Sequence, residues 1–390
     1  MATLELRLDR TTFLGAVYKT QGVVDRKSTS NVLSHVLIES LPDGKARLVG
    51  TDYDVTILAE IPAEVLVPGS ACINGKSLFD VVKNLDETPL HLRALPNDWS
   101  ELAAGRAQFK LAGVTPSDFP EMKIPADAKW LGIPKSALRD LFEKTAFSMS
   151  ADETRMNLNG VFFKVQPGSS EGLAKLTMVS TDGHRLSKVE LEAEVQGLGK
   201  KDQHSAIIHK KGVTEVKRLF DIEADVLEVG FAQGVILFRA GSTVSPGGLP
   251  SGGTTFSVRQ IEDNYPDYSR VIPQSSPIKV VVPRERLARA IRKNAILTSN
   301  KTYIIKLELA PGRLAVTASN PDYGEGRDEL DVDYKGDGMV VGFNYNYLLE
   351  VLGVVRGETV VFEMTDEFSP TVLTSPSEPG AVFVVMPMRV

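Results

Sequence analysis

One strand pair decides the fold, because it occurs three times along the chain. It first reads NVLSHVLIESLPDGKARLVGTDYDVTILAEI at residues 31–61. It returns as NLNGVFFKVQ at residues 157–166 with LTMVSTDGHRLSKVEL at residues 176–191, and again as YIIKLELAPGRLAVTASNPDYGEGRDELDV at residues 303–332. The spacing of about 130 residues is too long for a solenoid repeat and is typical of whole duplicated domains.

The turn inside each strand pair carries the repeat most clearly. Thr51-Asp52 recurs as Thr181-Asp182 and, more loosely, as Ser319-Asn320. Alternating runs rich in Val, Ile, Leu and Phe flank these turns, which predicts antiparallel hairpins. The closing strands also match, since AQFKLAGVTPSDFPEM at residues 107–122 resembles TTFSVRQIEDNYPDY at residues 254–268.

Two amphipathic helices are predicted in each repeat, because apolar residues recur at helical spacing. The first helices carry Leu14, Val17 and Tyr18 after a cap at Thr11, then Leu138, Leu141 and Phe142 after Pro134 and Ser136, then Leu287, Ala290 and Ile291 after Pro283. The second helices carry Leu78, Val81, Val82 and Leu85, then Val213, Val216 and Phe220, then Leu348, Val351, Leu352 and Val355. Two helices on antiparallel sheet make an α+β domain.

The pattern resets twice, which predicts three domains at residues 1–127, 131–273 and 276–390. The stretch GSTVSPGGLPSGG at residues 241–253 is rich in Gly, Ser and Pro and is expected to be a loop, to which no function is assigned. The 390 residues are 42% hydrophobic and 24% charged, a composition typical of a globular protein with two or three cores.

The sequence also limits the expected cellular location and the expected cofactors of the protein. The N-terminus lacks a basic start followed by an apolar run, and no stretch approaches the roughly 18 apolar residues of a membrane span, so we expect a cytoplasmic protein without membrane contact. The one cysteine, Cys72, allows no intramolecular disulfide, and the five histidines lack the spacing of a metal site. We therefore expect no metal and no other cofactor.

Positive charge is concentrated on particular helices although the formal net charge is −6. In PRERLARAIRKNAIL at residues 283–297, a basic stripe lies opposite the apolar stripe in helical projection. Its members are Arg286, Arg289, Arg292 and Lys293. Further lysines occur on other predicted helices, at Lys76, Lys83, Lys210, Lys211 and Lys217. Solvated helix surfaces would explain this pattern, but its recurrence favours contact with phosphates without base reading.

Two enzymatic interpretations are weak. GSACINGKS at residues 69–77 ends like a phosphate-binding loop, but it has one residue too many between its glycines, and its centre is typical of a strand. Asp182 and His184 could serve acid–base chemistry, but no activated nucleophile motif accompanies them. Nucleotide hydrolysis is therefore the least favoured function.

The chain resembles the bacterial DNA polymerase sliding clamps, the beta subunits of the polymerase III holoenzyme, over its whole length. The most specific segments are TDGHRL at residues 181–186, ETRMNLNG at 153–160, YPDYSRV at 265–271 and VVMPMRV at 384–390. The resemblance implies the DNA clamp fold and a head-to-tail homodimer that closes a six-domain ring around duplex DNA. It implies a non-catalytic processivity factor in DNA replication, which tethers the polymerase to its template.

The resemblance also implies three sets of site residues. The DNA-facing wall would comprise Arg26, Lys76, Lys83, Lys210, Lys211, Lys217, Arg286, Arg289, Arg292 and Lys293. The dimer interface would use Phe109, Ile296 and Leu297. A pocket for short apolar peptide motifs would comprise Leu158, Thr181, Gly183, His184, Arg185, Leu186, Pro266, Arg270, Val271, Val384, Met386, Pro387, Met388, Arg389 and Val390.

The partners implied for the pocket are the polymerase alpha subunit, the clamp loader delta subunit, and other polymerases and repair factors. A Met-lined pocket suits such a range of ligands, because methionine is unbranched and polarizable. The chain ends on Val390 where the family usually has Leu. The alternative function is a monomeric interaction scaffold that has the pocket but no ring, although such a scaffold gives no reason for the basic helix at residues 284–295.

Overall fold

The structure is a computed structural model and describes residues 3–24, 31–86, 89–121, 124–241, 243–244, 250–251, 253–298 and 303–389. The chain folds into two compact units. The first contains residues 1–136, 194–198 and 211–260, and the second contains residues 137–193, 199–210 and 261–390. The division therefore runs through the second repeat.

Antiparallel strands, six α-helices and several short 3-10 helices make up the regular structure of the described residues. The first repeat contains β1 (Leu4–Leu8), α1 (Arg10–Val23), β2 (His35–Leu41), β3 (Lys45–Thr51), β4 (Val55–Pro62), β5 (Glu64–Val67), β6 (Ser70–Asn74), α2 (Gly75–Lys83), β7 (Leu90–Ala94), β8 (Ser100–Ala104), β9 (Ala107–Leu111) and β10 (Gly113–Val114). The second contains β11 (Lys129–Pro134), α3 (Lys135–Thr145), β12 (Gly160–Pro167), β13 (Leu173–Thr181), β14 (Arg185–Glu194), β15 (His204–His209), α4 (Lys210–Val216), β16 (Val226–Ala232), β17 (Val235–Ala240), β18 (Thr243–Val244), β19 (Pro250–Ser251) and β20 (Gly253–Arg259). The third contains β21 (Ile278–Pro283), α5 (Arg284–Ala295), β22 (Ile304–Ala310), β23 (Arg313–Asn320), β24 (Gly324–Asp331), β25 (Met339–Asn344), α6 (Tyr345–Val354), β26 (Thr359–Met364), β27 (Thr371–Thr374) and β28 (Ala381–Val385).

Consecutive repeats share sheets. In the first unit a nine-stranded sheet has the order β10-β6-β2-β3-β4-β20-β17-β16-β11, so that β4 of the first repeat pairs with β20 of the second. In the second unit an eight-stranded sheet has the order β15-β12-β13-β14-β28-β27-β26-β21, so that β14 of the second repeat pairs with β28 of the third. A five-stranded sheet, β5-β1-β7-β8-β9, and a four-stranded sheet, β24-β23-β22-β25, complete the two units. The predicted α+β class with antiparallel sheets is confirmed.

The repeated turn is confirmed at the level of single hydrogen bonds. In the first repeat the Asp52 carboxylate accepts from the Asp54 and Val55 amides at 3.1 and 2.7 Å. In the second the Asp182 carboxylate accepts from the His184 and Arg185 amides at 2.9 and 3.0 Å. In the third the side-chain oxygen of Asn320 accepts from the amide two residues later, at 2.9 Å. The short Asx side chain therefore shapes all three turns.

The first helix of the first repeat buries a stripe that overlaps only in part with the predicted one, since Val17 is buried and Leu14 packs against the core. It begins at Arg10 and is capped by Asp9, whose side chain accepts from the Thr12 amide at 2.8 Å, rather than by Thr11. Phe13 is fully buried, whereas Tyr18, a predicted core residue, is 53% exposed. The large Phe13 ring buries more apolar area than Leu14, and this places the buried stripe one residue earlier than the sequence pattern indicated.

Gly183 provides a test of the repeated turn. Its φ of 88° lies in the left-handed region, where a Cβ costs about 1 kcal/mol. We expect Gly183→Ala to destabilise the protein by about that amount, measured as a lower midpoint of thermal unfolding. The matched control is Gly15→Ala, because Gly15 is exposed on α1 with open space around it, and this change should stabilise by about 0.5 kcal/mol. Equal shifts for both variants would contradict the assignment of backbone strain.

Candidate functional site

The predicted pocket segments come together where β14 meets β28. Arg185 and Leu186 pair with Val385 and Val384, respectively. After β28 the chain stays beside the turn, since the Met386 amide donates to the His184 carbonyl oxygen at 2.8 Å. Segments about 200 residues apart in sequence thus form adjacent walls through backbone pairing.

The segment at residues 265–272 joins the same place through an apolar cluster. Leu186 and Val384 are buried in this cluster, and the Tyr265 ring stacks on Phe162 with centroids 5.3 Å apart. Burial raises the pKa of the Tyr265 hydroxyl above its usual range. Val271 is 44% exposed at the rim. The cluster forms an apolar floor, with exposed apolar surface beside it.

The remaining predicted pocket residues lie around this floor. Leu158 is buried in the short helix Met156–Leu158. Arg270 is exposed and pairs with Asp267 at 2.9 Å, next to Pro266. Met386, Pro387 and Met388 are half-buried, Arg389 is exposed, and Val390 lies outside the described residues. The Met388 amide donates to the Gly342 carbonyl oxygen at 2.8 Å, which fixes the end of the tail against β25.

Arg185 has a different environment from its neighbours in the pocket. Its side chain is only 10% exposed, its Nε donates to Asp182 Oδ2 at 3.1 Å, and its guanidinium lies 4.3 Å from the centre of the Tyr347 ring. It also pairs with Glu350 and donates to the Phe147 carbonyl oxygen. The guanidinium therefore supports the β14 wall from beneath and links it to α6.

Sequence reasoning missed the residues that support the pocket. Tyr347 and Glu350 lie one turn apart on α6, and burial raises the pKa of the Tyr347 hydroxyl. Arg155 comes within reach of the turn, since a Cβ added at Gly183 would lie 3.1 Å from its Nη1. The only available signals were the i, i+3 spacing of the first two residues and the position of Arg155 inside the segment ETRMNLNG.

The basic helix has the predicted two faces. Leu287, Ala290 and Ile291 are buried on α5. The opposite stripe, Arg286, Arg289, Arg292 and Lys293, is exposed. Arg289 Nε donates to the Glu285 carbonyl oxygen at 3.3 Å, while Lys293 pairs with Asp328 at 2.7 Å. Asp328 has a lowered pKa, because Lys293 donates a hydrogen bond to its carboxylate.

The other predicted DNA-facing cations differ in their exposure. Lys76 and Lys83 are exposed on α2, and Lys210 is exposed at the start of α4. Lys211 and Lys217 are half-buried, and Lys211 pairs with Asp52 of the turn in the first repeat. Arg26 lies outside the described residues. The Lys211 ammonium is thus partly compensated by the Asp52 carboxylate.

A buried acid lies beside Lys211. Glu215 is 4% exposed, and its carboxylate lies 2.8 Å from Arg218 Nη1. Burial raises the Glu215 pKa, and the nearby Arg218 and Lys211 charges oppose that shift. Positive charge at and just after α4 therefore compensates carboxylates within the first unit, in addition to any role at the surface.

The predicted dimer-interface residues are apolar and largely exposed. Ile296, which caps the C-terminus of α5, is 79% exposed, and Phe109 on β9 is 39% exposed. Leu297 is half-buried.

The sequence features that suggested an enzyme have structural explanations. Residues 70–74 form β6, and the Asn74 side chain caps α2 by accepting from the Ser77 amide at 3.1 Å, so GSACINGKS forms a strand rather than a phosphate loop. Asp182 serves as the cap of its turn. Among the described residues, no group of three His, Cys, Asp or Glu side chains could hold a metal ion. None of the helices in the described part is long and apolar enough to cross a membrane.

Comparisons with known proteins cover the whole chain. The family models of the DNA polymerase III beta subunit match with its N-terminal domain at residues 4–123, its central domain at 132–267 and its C-terminal domain at 269–389. The beta sliding clamp of Pseudomonas aeruginosa is 32% identical over 387 residues, which are 99% of this chain and 100% of the relative. The beta sliding clamp of Escherichia coli is 28% identical over 387 residues, with the same shares.

Solved structures agree with the family models. The Caulobacter crescentus beta sliding clamp superposes with a TM-score of 0.90 at 29% identity, covering 99% of both chains. The DNA polymerase III subunit beta of Pseudomonas aeruginosa superposes with a TM-score of 0.88 at 31% identity, covering 99% of this chain and 100% of that one. The chain therefore belongs to the DNA polymerase III beta subunit family and is a DNA sliding clamp.

Proposed function

We propose that two copies of this chain join head to tail into a closed ring around duplex DNA, and that the pocket of each copy tethers the replicative polymerase. The repeats at residues 1–127, 131–273 and 276–390 would be its three domains. The observation that carries this proposal is the pattern of joints. A joint is the strand pair through which the sheet of one repeat continues into the next, and the chain contains two of them, β4–β20 and β14–β28. Each joint within the chain has a defined register. Among the edge strands of the described sheets, β9 and β24 would make a third joint of the same kind.

The two joints within the chain are equivalent. At the first joint Ile57 lies opposite Phe256, two residues along β4 from Val55. At the second Ser187 lies opposite Phe383, two residues along β14 from Arg185. Phe256 and Phe383 are both fully buried. In each joint an aromatic side chain of the later repeat is thus covered at the same register position.

The third joint would pair β24 with β9 of a second copy. The match between AQF and TTF aligns Phe109 with Phe256, and the repeated turn aligns Gly326 with Ile57. Phe109 would therefore lie opposite Gly326 of the second copy, and Lys110 opposite Glu325. The opposite charges of Lys110 and Glu325 favour this register.

Such a joint closes after two copies. Because β9 belongs to the first repeat and β24 to the third, the contact is head to tail and its twofold repetition gives a ring of six domains. Pairing would cover the exposed edges, which otherwise are templates for unwanted association. It would also cover Phe109, Ile296 and Leu297, which supports their assignment to the dimer interface.

The basic helices would line the hole. Sliding requires attraction to phosphates without base reading, which exposed lysines and arginines on rigid helices supply. Lys76, Lys83, Lys210, Arg286 and Arg289 have the exposure that this role needs. The excess of acidic residues in the rest of the chain would repel duplex DNA from other surfaces.

The pocket would take short apolar peptide motifs from several proteins. The apolar floor and half-buried methionines suit ligands that differ in side chains. Sliding clamps from Pseudomonas aeruginosa and Bartonella birtlesii are described as bound to griselimycin, which supports the proposal that this family has a ligand-binding surface. We expect the pocket to bind motifs of the polymerase alpha subunit, the clamp loader delta subunit, and other polymerases and repair factors.

Charge at the dimer interface should separate the copies. We expect Ile296→Asp combined with Leu297→Asp to give monomers, because two unpaired carboxylates cannot be buried in an apolar contact. Sedimentation velocity over a dilution series measures the oligomeric state. Phe368→Asp is the matched control, since Phe368 is also exposed at 65% but lies outside the proposed interface. A dimeric double variant would contradict the interface, and a monomeric unmodified chain would favour the scaffold.

Charge reversal on α5 should weaken retention on DNA. Arg286→Glu combined with Arg289→Glu should shorten the lifetime of rings on nicked circular DNA by about tenfold or more at moderate salt, because phosphate contacts are lost. Gel filtration of the loaded circles measures retention. Lys200→Glu with Lys201→Glu is the control for net charge, because both lysines are exposed in a turn and belong to none of the basic helices. If both double variants lose retention on DNA equally, α5 does not belong to the DNA-facing wall.

Removal of the C-terminal tail should abolish peptide binding while leaving the ring intact. Deletion of residues 386–390 removes one wall of the pocket but none of the paired strands. We expect a labelled polymerase motif to lose at least about a hundredfold in affinity, as is typical when a central apolar anchor is removed. Fluorescence polarisation measures the affinity, and sedimentation tests the dimer. Undiminished affinity would mean that the peptide binds elsewhere.

A further inference from the structure

The first helix of every repeat carries a lysine at its tenth residue. These are Lys19 in α1, Lys144 in α3 and Lys293 in α5. The sequence pattern had assigned only the last of them a role, in the DNA-facing wall. Their environments indicate a different shared role.

The equivalence of the three lysines rests on the residue that follows each of them. That residue is buried in all three helices, and its side chain donates to the carbonyl oxygen four residues earlier. The three bonds are Thr20 to Ala16 at 3.0 Å, Thr145 to Leu141 at 2.7 Å and Asn294 to Ala290 at 2.9 Å. The lysine that precedes this buried residue therefore leaves each of the three helices in the same direction.

Lys144 reaches from the second repeat to the third. It is only 3% exposed, and its ammonium pairs with Asp140 on the same helix at 2.8 Å and with Glu378 in the turn before β28. Arg356 completes the cluster by pairing with Asp140 at 2.7 Å. The lysine thus lies inside the joint between β14 and β28.

Lys19 reaches from the first repeat to the second in the same way. Its ammonium donates to the hydroxyl of Thr254 at 3.1 Å, and Thr254 is 3% exposed near the start of β20. Burial lowers the pKa of Lys19. Thr254 lies opposite Ala59 in the β4–β20 joint. Ala381 lies opposite Val189 at the equivalent position of the β14–β28 joint. Both lysines therefore meet the beginning of the strand that the next repeat contributes.

Lys293 has no next repeat within its own chain. Its side chain is 68% exposed, and its ammonium pairs with Asp328 on β24 at 2.7 Å. In the register of the proposed third joint, Asp328 lies opposite Ala107 at the start of β9 of a second copy. Lys293 thus points to the place where Lys19 and Lys144 meet a following repeat.

We infer that Lys293 and Asp328 form a junction pair that a second copy of this chain covers with the start of its β9, and that Lys293 belongs to the dimer interface rather than to the DNA-facing wall. This inference rests on the proposed ring. An ion pair that is covered only in one register favours that register over slipped pairings, as buried polar groups do in other assemblies. Arg289, one turn earlier on α5, keeps its role in the wall.

The test separates dimerisation from retention on DNA. Dimer dissociation constants are measured by sedimentation for the unmodified chain, Lys293→Ala, Lys293→Arg and the matched control Arg289→Ala, with circular dichroism to verify folding. We expect Lys293→Ala to raise the dissociation constant by at least about tenfold, because Asp328 is left without its partner when it is covered. Lys293→Arg should restore most of the affinity, and Arg289→Ala should leave the constant unchanged.

Retention on nicked circular DNA gives the second readout, at a protein concentration where every variant is dimeric. There Arg289→Ala should reduce the salt dependence of the lifetime on DNA, because a phosphate contact is lost. Lys293→Ala should leave that salt dependence unchanged and shorten the lifetime only as far as its weaker interface lets the ring open. An unchanged dissociation constant for Lys293→Ala would overturn the inference, and a shortened DNA lifetime with it would return Lys293 to the wall. A monomeric unmodified chain would instead overturn the proposed ring itself, so the two failures are distinguishable.

Discussion

The pairing of one repeat's edge strand with the next repeat's last strand is the constraint on which the rest of the structure depends. An edge strand exposes backbone donors and acceptors that need partners. At β4–β20 and β14–β28 these groups are satisfied between repeats, so that two sheets continue across the joints. Because the side-chain period of a strand is two, each joint has one register in which its apolar residues face inward.

The proposed peptide pocket would be a by-product of the second joint. Its two walls are the turn before β14 and the tail after β28, and the strand pairing places them side by side. Arg185 then fixes this arrangement, because its guanidinium connects the turn, the Phe147 carbonyl and α6. The same geometry explains why a residue within the pocket motif has little exposed surface of its own.

Much of the fold followed from pattern alone, and the exceptions have local causes. The stripe on α5 was predicted correctly, because strong polar and apolar residues alternate at helical spacing. The stripe on α1 was predicted only in part. Val17 is buried and Leu14 packs against the core, but Phe13 is the large buried side chain, because Phe13 and Leu14 are both apolar and only packing selects between them. Lys211 was grouped with surface cations, since nothing in its local sequence indicates Asp52 some 160 residues away as its partner.

The sequence by itself determined the threefold repeat, the α+β class, the two-faced basic helix and, through resemblance, the family. These properties depend on residues close together in the chain, whose spacing is visible without a structure. Only the tertiary structure decided which strands join, which cations are compensated, and that Lys19, Lys144 and Lys293 occupy one equivalent position with different surroundings. Such properties depend on which distant residues become neighbours, and that is set by sheet register and burial rather than by local spacing.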